Sequence, residues 1–206
     1  CAGRSGSALA LAIKTHCFSD EPVERTAMTH GSEVLIEVIN LSVEFQTTEG
    51  VLRAVTGLSY TVSQGETVAI LGESGSGKSV SIEALMGIID PPNGRITSGE
   101  IRFRGTNLLT MPTTLRHRIN GEHIAMIFQD ALAALNPSQT VGTQIGEMFT
   151  LHRGIRRHEA FQYAIELMNR VRIPAAAKRA NCYPHEFSGG MRQRIMIATA
   201  IALEPE

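Results

Sequence analysis

Cysteine, net charge and long apolar runs are all scarce in this chain, and each scarcity argues against a class of protein. Cysteine occurs three times, at Cys1, Cys17 and Cys182, far apart and odd in number. With no C-x-x-C pair, this pattern speaks against a disulfide framework and against zinc, and it suits a reduced compartment. Net charge is −1. A balance so close to neutral shows no footprint of a polyanion-binding surface, which disfavours nucleic acid as the main partner. The apolar stretch Ala8 to Ile13 ends at Lys14 after six residues, too short to span a bilayer and a poor core for a signal peptide. Internal repeats and low-complexity segments are also missing.

What is present suffices for one sizeable core. Of 206 residues, 43% are hydrophobic, and the length suits one domain with a subdomain inserted in it. Residues 1–27 carry neither sustained periodicity nor a long apolar run. We expect residues 1–32 to be a disordered or artefactual segment, with a natural start at Met28, and residues 33–206 to be the folded part. From Val34 to Phe45 two apolar phases mix, as in a strand packed on both sides or slightly bulged. Gln46 to Gly50 reads as a turn, Val51–Val55 and Leu58–Val62 as two short β runs, and Ser63 to Glu66 as a second turn. Asp90 to Gly94 breaks a helix, and Gly99 to Arg104 alternates as a half-exposed strand. Leu108 to Arg118 is a polar connector or short helix, Ile124 to Phe128 a buried strand, and Val141–Leu151 and His158–Val171 are helices. The basic cluster Arg153 to His158 reads as a solvated loop.

The most informative stretch is Gly72-Glu73-Ser74-Gly75-Ser76-Gly77-Lys78-Ser79. It fits G-x-x-x-x-G-K-[ST], with the apolar run Val68-Ala69-Ile70-Leu71 before it as a strand and Val80 to Ile89 after it as a helix. Glycines let backbone N–H groups wrap phosphate oxygens at the positive end of a helix dipole. Lys78 would reach the β- and γ-phosphates, and the Ser79 hydroxyl would help to hold Mg²⁺.

A second helix start lies about 110 residues further on, at Phe187-Ser188-Gly189-Gly190-Met191-Arg192-Gln193-Arg194. Ser188 is a good N-cap, and two glycines in the first turn leave amides bare for an anion. Alone this is a weak signal. Together with the phosphate loop and Gln129 between them, it makes the chain resemble the ATP-binding subunits of ABC transporters from Val34 to Glu206. Gly72 to Ser79 resembles the Walker A motif, Ile127-Phe128-Gln129-Asp130 the Q-loop, and Ser188 to Arg192 the signature motif, with Phe187 and Met191 in its flanking places. Met126 to Asp130, Leu135-Asn136-Pro137 and Tyr183 to Arg194 are most similar to the peptide and nickel importer ATPases. Ala131 departs from them, since that subfamily commonly has proline after Gln-Asp.

The resemblance implies an α/β fold: a P-loop NTPase (ABC ATPase) core with an antiparallel β-subdomain and an inserted α-helical subdomain, near residues 131–190, C-terminally incomplete. It implies ATP and Mg²⁺ as cofactors. Nucleotide would be held by Gly72, Ser74, Gly75, Gly77, Lys78, Ser79 and Val80, with Phe45 stacked on adenine, and Ser188, Gly189 and Gly190 would bind the γ-phosphate of a partner's ATP in trans. Lys78 and Gln129 would be catalytic, Ser79 and Gln129 would serve Mg²⁺, and His185 would order the turn before the signature helix without acting as a base. The implied function is the motor of an importer of peptides or a related small solute. Its partners would be a second ABC ATPase subunit, as homo- or heterodimer, integral membrane permease subunits and, indirectly, a solute-binding protein. The place would be peripheral, on the cytoplasmic face of the inner membrane. The alternatives are a non-transport ABC ATPase acting on nucleic acid or ribosomes, and one half of a fused double-ATPase subunit. The family's Walker B pair and switch histidine would lie beyond Glu206, and Glu204 and Glu206 are not that pair. The chain by itself is therefore expected to bind nucleotide weakly and to hydrolyse none.

Overall fold

A computed structural model describes residues 33–89 and 91–206. The expectations for residues 1–32, including Cys1, Cys17 and the start at Met28, lie outside the described residues. The chain divides into two compact units between Pro112 and Thr113.

The first unit is a four-stranded antiparallel sheet in the order β2-β1-β3-β4. Strand β1 (Val34–Thr47) buries Leu35, Ile36, Val38, Leu41 and Val43. Its two apolar phases have a local cause. Asn40 sits at φ 47°, and the register shifts there against both neighbours, after Val38 on one side and after Ile39 on the other. One extra residue in a strand flips every later side chain to the opposite face, so the inward phase that ends at Val38 resumes at Leu41. Asparagine tolerates this left-handed turn. The partner strand accommodates it with Gly99 at φ 99°, where a methyl group would come within 2.6 Å of the Ile39 and Asn40 carbonyl oxygens.

Strand β2 (Gly50–Ser63) returns from a tight turn. The two expected β runs are one strand, joined at Gly57, whose N–H donates to Ser42 Oγ (3.1 Å). The Ser63 to Glu66 turn forms as expected, with Glu66 N–H donating to the Ser63 carbonyl (3.1 Å) and Ser63 N–H to Glu66 Oε2 (2.7 Å). Val68 to Leu71, expected as a strand, is irregular and half to fully exposed. A strand is defined by its ladder, and the sheet of this unit ends at β2 and β4 without taking up that segment. Helix α1 (Lys78–Met86) stops earlier than the Asp90 to Gly94 break, because Gly87 turns left-handed (φ 72°) and its N–H caps carbonyls of the last turn. Strand β3 (Gly94–Phe103) begins five residues before the expected start, drawn out by pairing with β1 as far as Phe45, and β4 (Thr106–Asn107) closes a short hairpin.

The second unit is helical. Helix α2 (Thr113–Glu122) is interrupted at Asn120 and Gly121, and α3 (Ala131–Ala134) is a single turn. Between them Ile124 to Phe128, expected as a buried strand, contributes one isolated bridge, Asn120 to Ile124, and is otherwise irregular, with Ile127 and Phe128 exposed. Helices α4 (Val141–Arg153) and α5 (Arg157–Arg170) match their periodicity to within two residues at either end. A single turn α6 (Ala176–Arg179) and a 3-10 turn at Pro184–Glu186 lead into α7 (Gly189–Ala200). The core of this unit gathers Val141, Ile145 and Phe149 from α4, Ala164, Leu167 and Met168 from α5, and Ile195 and Ala198 from α7. No helix among the described residues is long and apolar enough to cross a membrane.

Candidate functional site: two open helix tips

In the first unit Gly72 to Gly77 forms a loop, exposed from Gly72 to Ser76, that runs straight into α1, which opens with Lys78 and Ser79. Gly77 is the N-cap at φ 84°, and it supplies no capping side chain. A methyl group there would collide with the Ala54 carbonyl oxygen and Val55 Cγ2 of β2, so the end of the loop lies directly on the sheet. The first amides of α1 have no intrahelical acceptor. The Lys78 side chain folds back into the loop: its Nζ donates to the carbonyl of Gly72 (2.8 Å), to that of Glu73, and to Ser76 Oγ (3.3 Å). Ser79 is exposed, Val80 half-buried, and Ser81, two residues on, is buried with its hydroxyl satisfied by the Lys78 carbonyl (2.7 Å). A glycine loop leading to the open first turn of a helix, with one ammonium inside it and one exposed hydroxyl at its end, fits a nucleotide's phosphates and a divalent cation.

Phe45 lies in the same unit, near the end of β1. Its ring covers the backbone of Gly94, whose added methyl would meet Phe45 Cε1 at 2.8 Å, and it borders a cavity of about 80 Å³ with Glu44, Gln46, Val51, Pro92, Asn93 and Arg95. None of residues 72–79 lines that cavity.

In the second unit Gln129 is exposed at the end of the irregular segment. Asp130 after it caps α3, its Oδ1 accepting from the amides of Leu132 (2.8 Å) and Ala133 (3.4 Å). Ala131, the residue that departs from the importer pattern, is the first residue of that helix, the position where proline is favoured.

Ser188, Gly189 and Gly190 form the exposed tip of α7. Ser188 occupies the N-cap position, but its hydroxyl makes no capping bond, so it is not used by its own helix as expected. Added methyl groups at Gly189 and Gly190 would meet nothing within 4 Å. The contrast with α4 is informative. There the first amides are closed by protein, Val141 N–H donating to the Cys182 carbonyl (3.0 Å) and Gly142 N–H to that of Ala180 (2.8 Å). His185 stacks on Tyr183 in the preceding turn, ring centroids 5.8 Å apart, in keeping with an ordering role.

The ABC transporter family profile matches residues 55–206, from before the phosphate loop to past the second tip. The chain belongs to the ABC transporter family. Among the curated relatives, the dipeptide transport ATP-binding protein DppD of Escherichia coli is 48% identical over 172 residues, 84% of this chain and 52% of that protein. The oligopeptide transport ATP-binding protein OppD of Salmonella typhimurium is 46% identical over 175 residues, 85% of this chain and 52% of that protein. The chain thus spans about half the length of the curated relatives it matches. An ATP-binding cassette solved as a dimer in a post-hydrolysis state, bound to ADP and Pi, is similar with a TM-score of 0.71 at 25% identity, over 83% of this chain and 71% of its own. The fold class is accordingly that of ABC ATPase cassettes, with an antiparallel sheet and a set of helices.

Two features of the site are easily passed over in the sequence. The motif around Gln129 hides the cap at Asp130, although an aspartate directly before a short apolar run is a recognised helix start. Arg179, whose guanidinium lies over the Phe187 ring, has no local signature and needed the fold to find it, and only the fold shows Arg192, inside the motif, donating to the Phe187 carbonyl.

Proposed function

We propose that this chain carries nucleotide-binding elements of the motor subunit of an ABC importer, coupling ATP binding and hydrolysis to uptake of peptides or a related small solute. The observation that carries the reading is the family match across both open tips, joined to relatives named for oligopeptide and dipeptide transport. Lys78 and the loop amides of 72–80 hold the triphosphate, Ser79 and Gln129 serve the Mg²⁺ that shields its charge, and Phe45 offers a face to the base. Ser188, Gly189 and Gly190 serve the γ-phosphate bound by a second ATPase subunit. A phosphate held between two protein surfaces acts as a removable bond: three anionic oxygens attract both sets of donors, and hydrolysis releases one of them. The partners on this reading are that second subunit and permease subunits, with the motor peripheral on the cytoplasmic face of the membrane.

The test uses the full-length protein. Phosphate release should depend on Lys78 and Mg²⁺, the protein should co-purify with membranes, and uptake should respond to short peptides. Turnover that survives Lys78→Ala, or co-purification with RNA in place of membranes, would remove the reading.

A further inference from the structure

Arg179 ends α6 and is half-buried beside the start of α7. It makes no ion pair with a carboxylate among the described residues. Its guanidinium instead lies 5.9 Å from the centroid of the Phe187 ring, and its Nη1 donates to Met191 Sδ at 3.0 Å. These two residues bracket Ser188-Gly189-Gly190. The backbone of Phe187 is held as well, Arg192 Nη1 donating to its carbonyl (2.8 Å), and the residue is buried to 3% exposure. The stretch that carries Arg179 is itself fixed, because the carbonyls of Ala180 and Cys182 accept from the first amides of α4. A rigid path therefore runs from α4 through Arg179 to both ends of the tip.

We propose that Arg179 is a positioning residue for the Ser188 to Gly190 tip, acting through Phe187 and Met191 to set the direction of its amides. The inference rests on the reading of that tip as a γ-phosphate site. Only a planar fork stacks on a ring and donates in its own plane at once; a lysine ammonium is a point charge that does one or the other. The thioether is a weak but deformable acceptor. Gly189 and Gly190 belong to the first turn of α7 but carry no side chain to pack it in place, so the side chains on either flank decide where that turn points.

The test compares Arg179→Met and Arg179→Lys in the full-length protein. Arg179→Met should lower kcat for ATP about tenfold. The KM for ATP should stay within about twofold, because the phosphate loop is untouched. Exchange of the Arg192 amide, which donates to the Ser188 carbonyl at 2.9 Å, should quicken by about tenfold. Tm should hold within about 2 °C. Arg179→Lys should behave like Arg179→Met. The proposal is overturned if Arg179→Met leaves both kcat and the exchange unchanged, if the loss of kcat follows a fall in Tm, or if lysine restores full turnover. Should turnover prove independent of Lys78, the functional reading fails, while the exchange comparison still decides the role of Arg179.

Discussion

Lys78 Nζ donates to the carbonyl oxygen of Gly72 at 2.8 Å, so the last charged residue of the loop clasps its first glycine. The same ammonium reaches Ser76 Oγ at 3.3 Å, so the loop closes round a positive centre. The ammonium thus both shapes the cradle and supplies its charge.

Lys78→Ala should weaken ATP binding about 10- to 100-fold, the equivalent of about 1.5–3 kcal/mol for hydrogen bonds to a charged group. Titration calorimetry on the full-length protein measures it. Unchanged affinity would mean that the amides alone hold the phosphates.

Two glycines of that loop share a φ of 84° and differ in their surroundings. Gly75 faces open space, whereas a methyl on Gly77 would strike the Ala54 carbonyl and Val55. Both alanine variants bear the left-handed penalty of about 1–2 kcal/mol. Gly77→Ala should be the more destabilising by about 1–3 kcal/mol, the usual range for overpacking. Urea denaturation of the two variants side by side decides it, and equal stabilities would contradict the contact between the loop and β2.

Tyr60, on β2 opposite Val38, has a buried hydroxyl with no hydrogen-bond partner among the described residues, and burial raises its pKa from 10.0 to about 12. The sign follows from which state binds the proton. Between pH 10 and 12 the unfolded chain gives up its phenolic proton while the folded one keeps it, so stability present below pH 10 is lost as pH rises through that window. The full loss is about 2–3 kcal/mol by the usual conversion. Tyr60→Phe should flatten this alkaline fall, and at neutral pH it should be neutral or slightly stabilising, because it removes an unsatisfied polar group. Stability measured against pH for both forms tests each half.

Much of this structure was legible in local pattern, and the failures have a common cause. The mixed apolar phase of Val34 to Phe45 left a strand packed on both sides and a bulged strand both open; the fold decides for the bulge and puts it at Asn40, because one inserted residue is what turns the inward side of a strand outward. Helices α4 and α5 were readable because each buries one stripe against its own neighbours. Val68 to Leu71 and Ile124 to Phe128 are strands only if something pairs with them, and pairing is not a local property. The early stop of α1 at Gly87 was readable in principle, but the proline pair four residues later is the louder breaker. Of the site, the first tip stood out because glycine, lysine and serine at fixed spacing have a chemical reason to be together, and the second, Ser188-Gly189-Gly190, became specific only beside it. The arginine that flanks the second tip had no such reason until the chain was folded.

Asp130, the residue before Ala131, has φ −99° and ψ 102°, an extended backbone of the kind that precedes proline, and its side chain already caps the helix that Ala131 opens. Ala131→Pro should therefore be accepted, with a gain of about 0.4–1 kcal/mol from the smaller entropy of the unfolded chain. A rise in Tm with turnover preserved is the expected outcome. A fall would show that the buried side of Ala131 has no room for the ring.

Gly189 and Gly190 offer the sharpest separation of stability from function. Both lie in the first turn of α7 with helical backbone, and added methyl groups would touch nothing. Alanine is the better helix former by about 0.5–1 kcal/mol. Gly190→Ala should therefore leave the protein as stable as before or slightly more so. If a phosphate must approach these amides closely, the same methyl stands in its way, and ATP-dependent association of two full-length subunits should weaken at least about tenfold. Sedimentation with MgATP and urea denaturation of one preparation give the two numbers together. A variant that gains stability and still pairs normally would show that the tip is open for some reason other than phosphate.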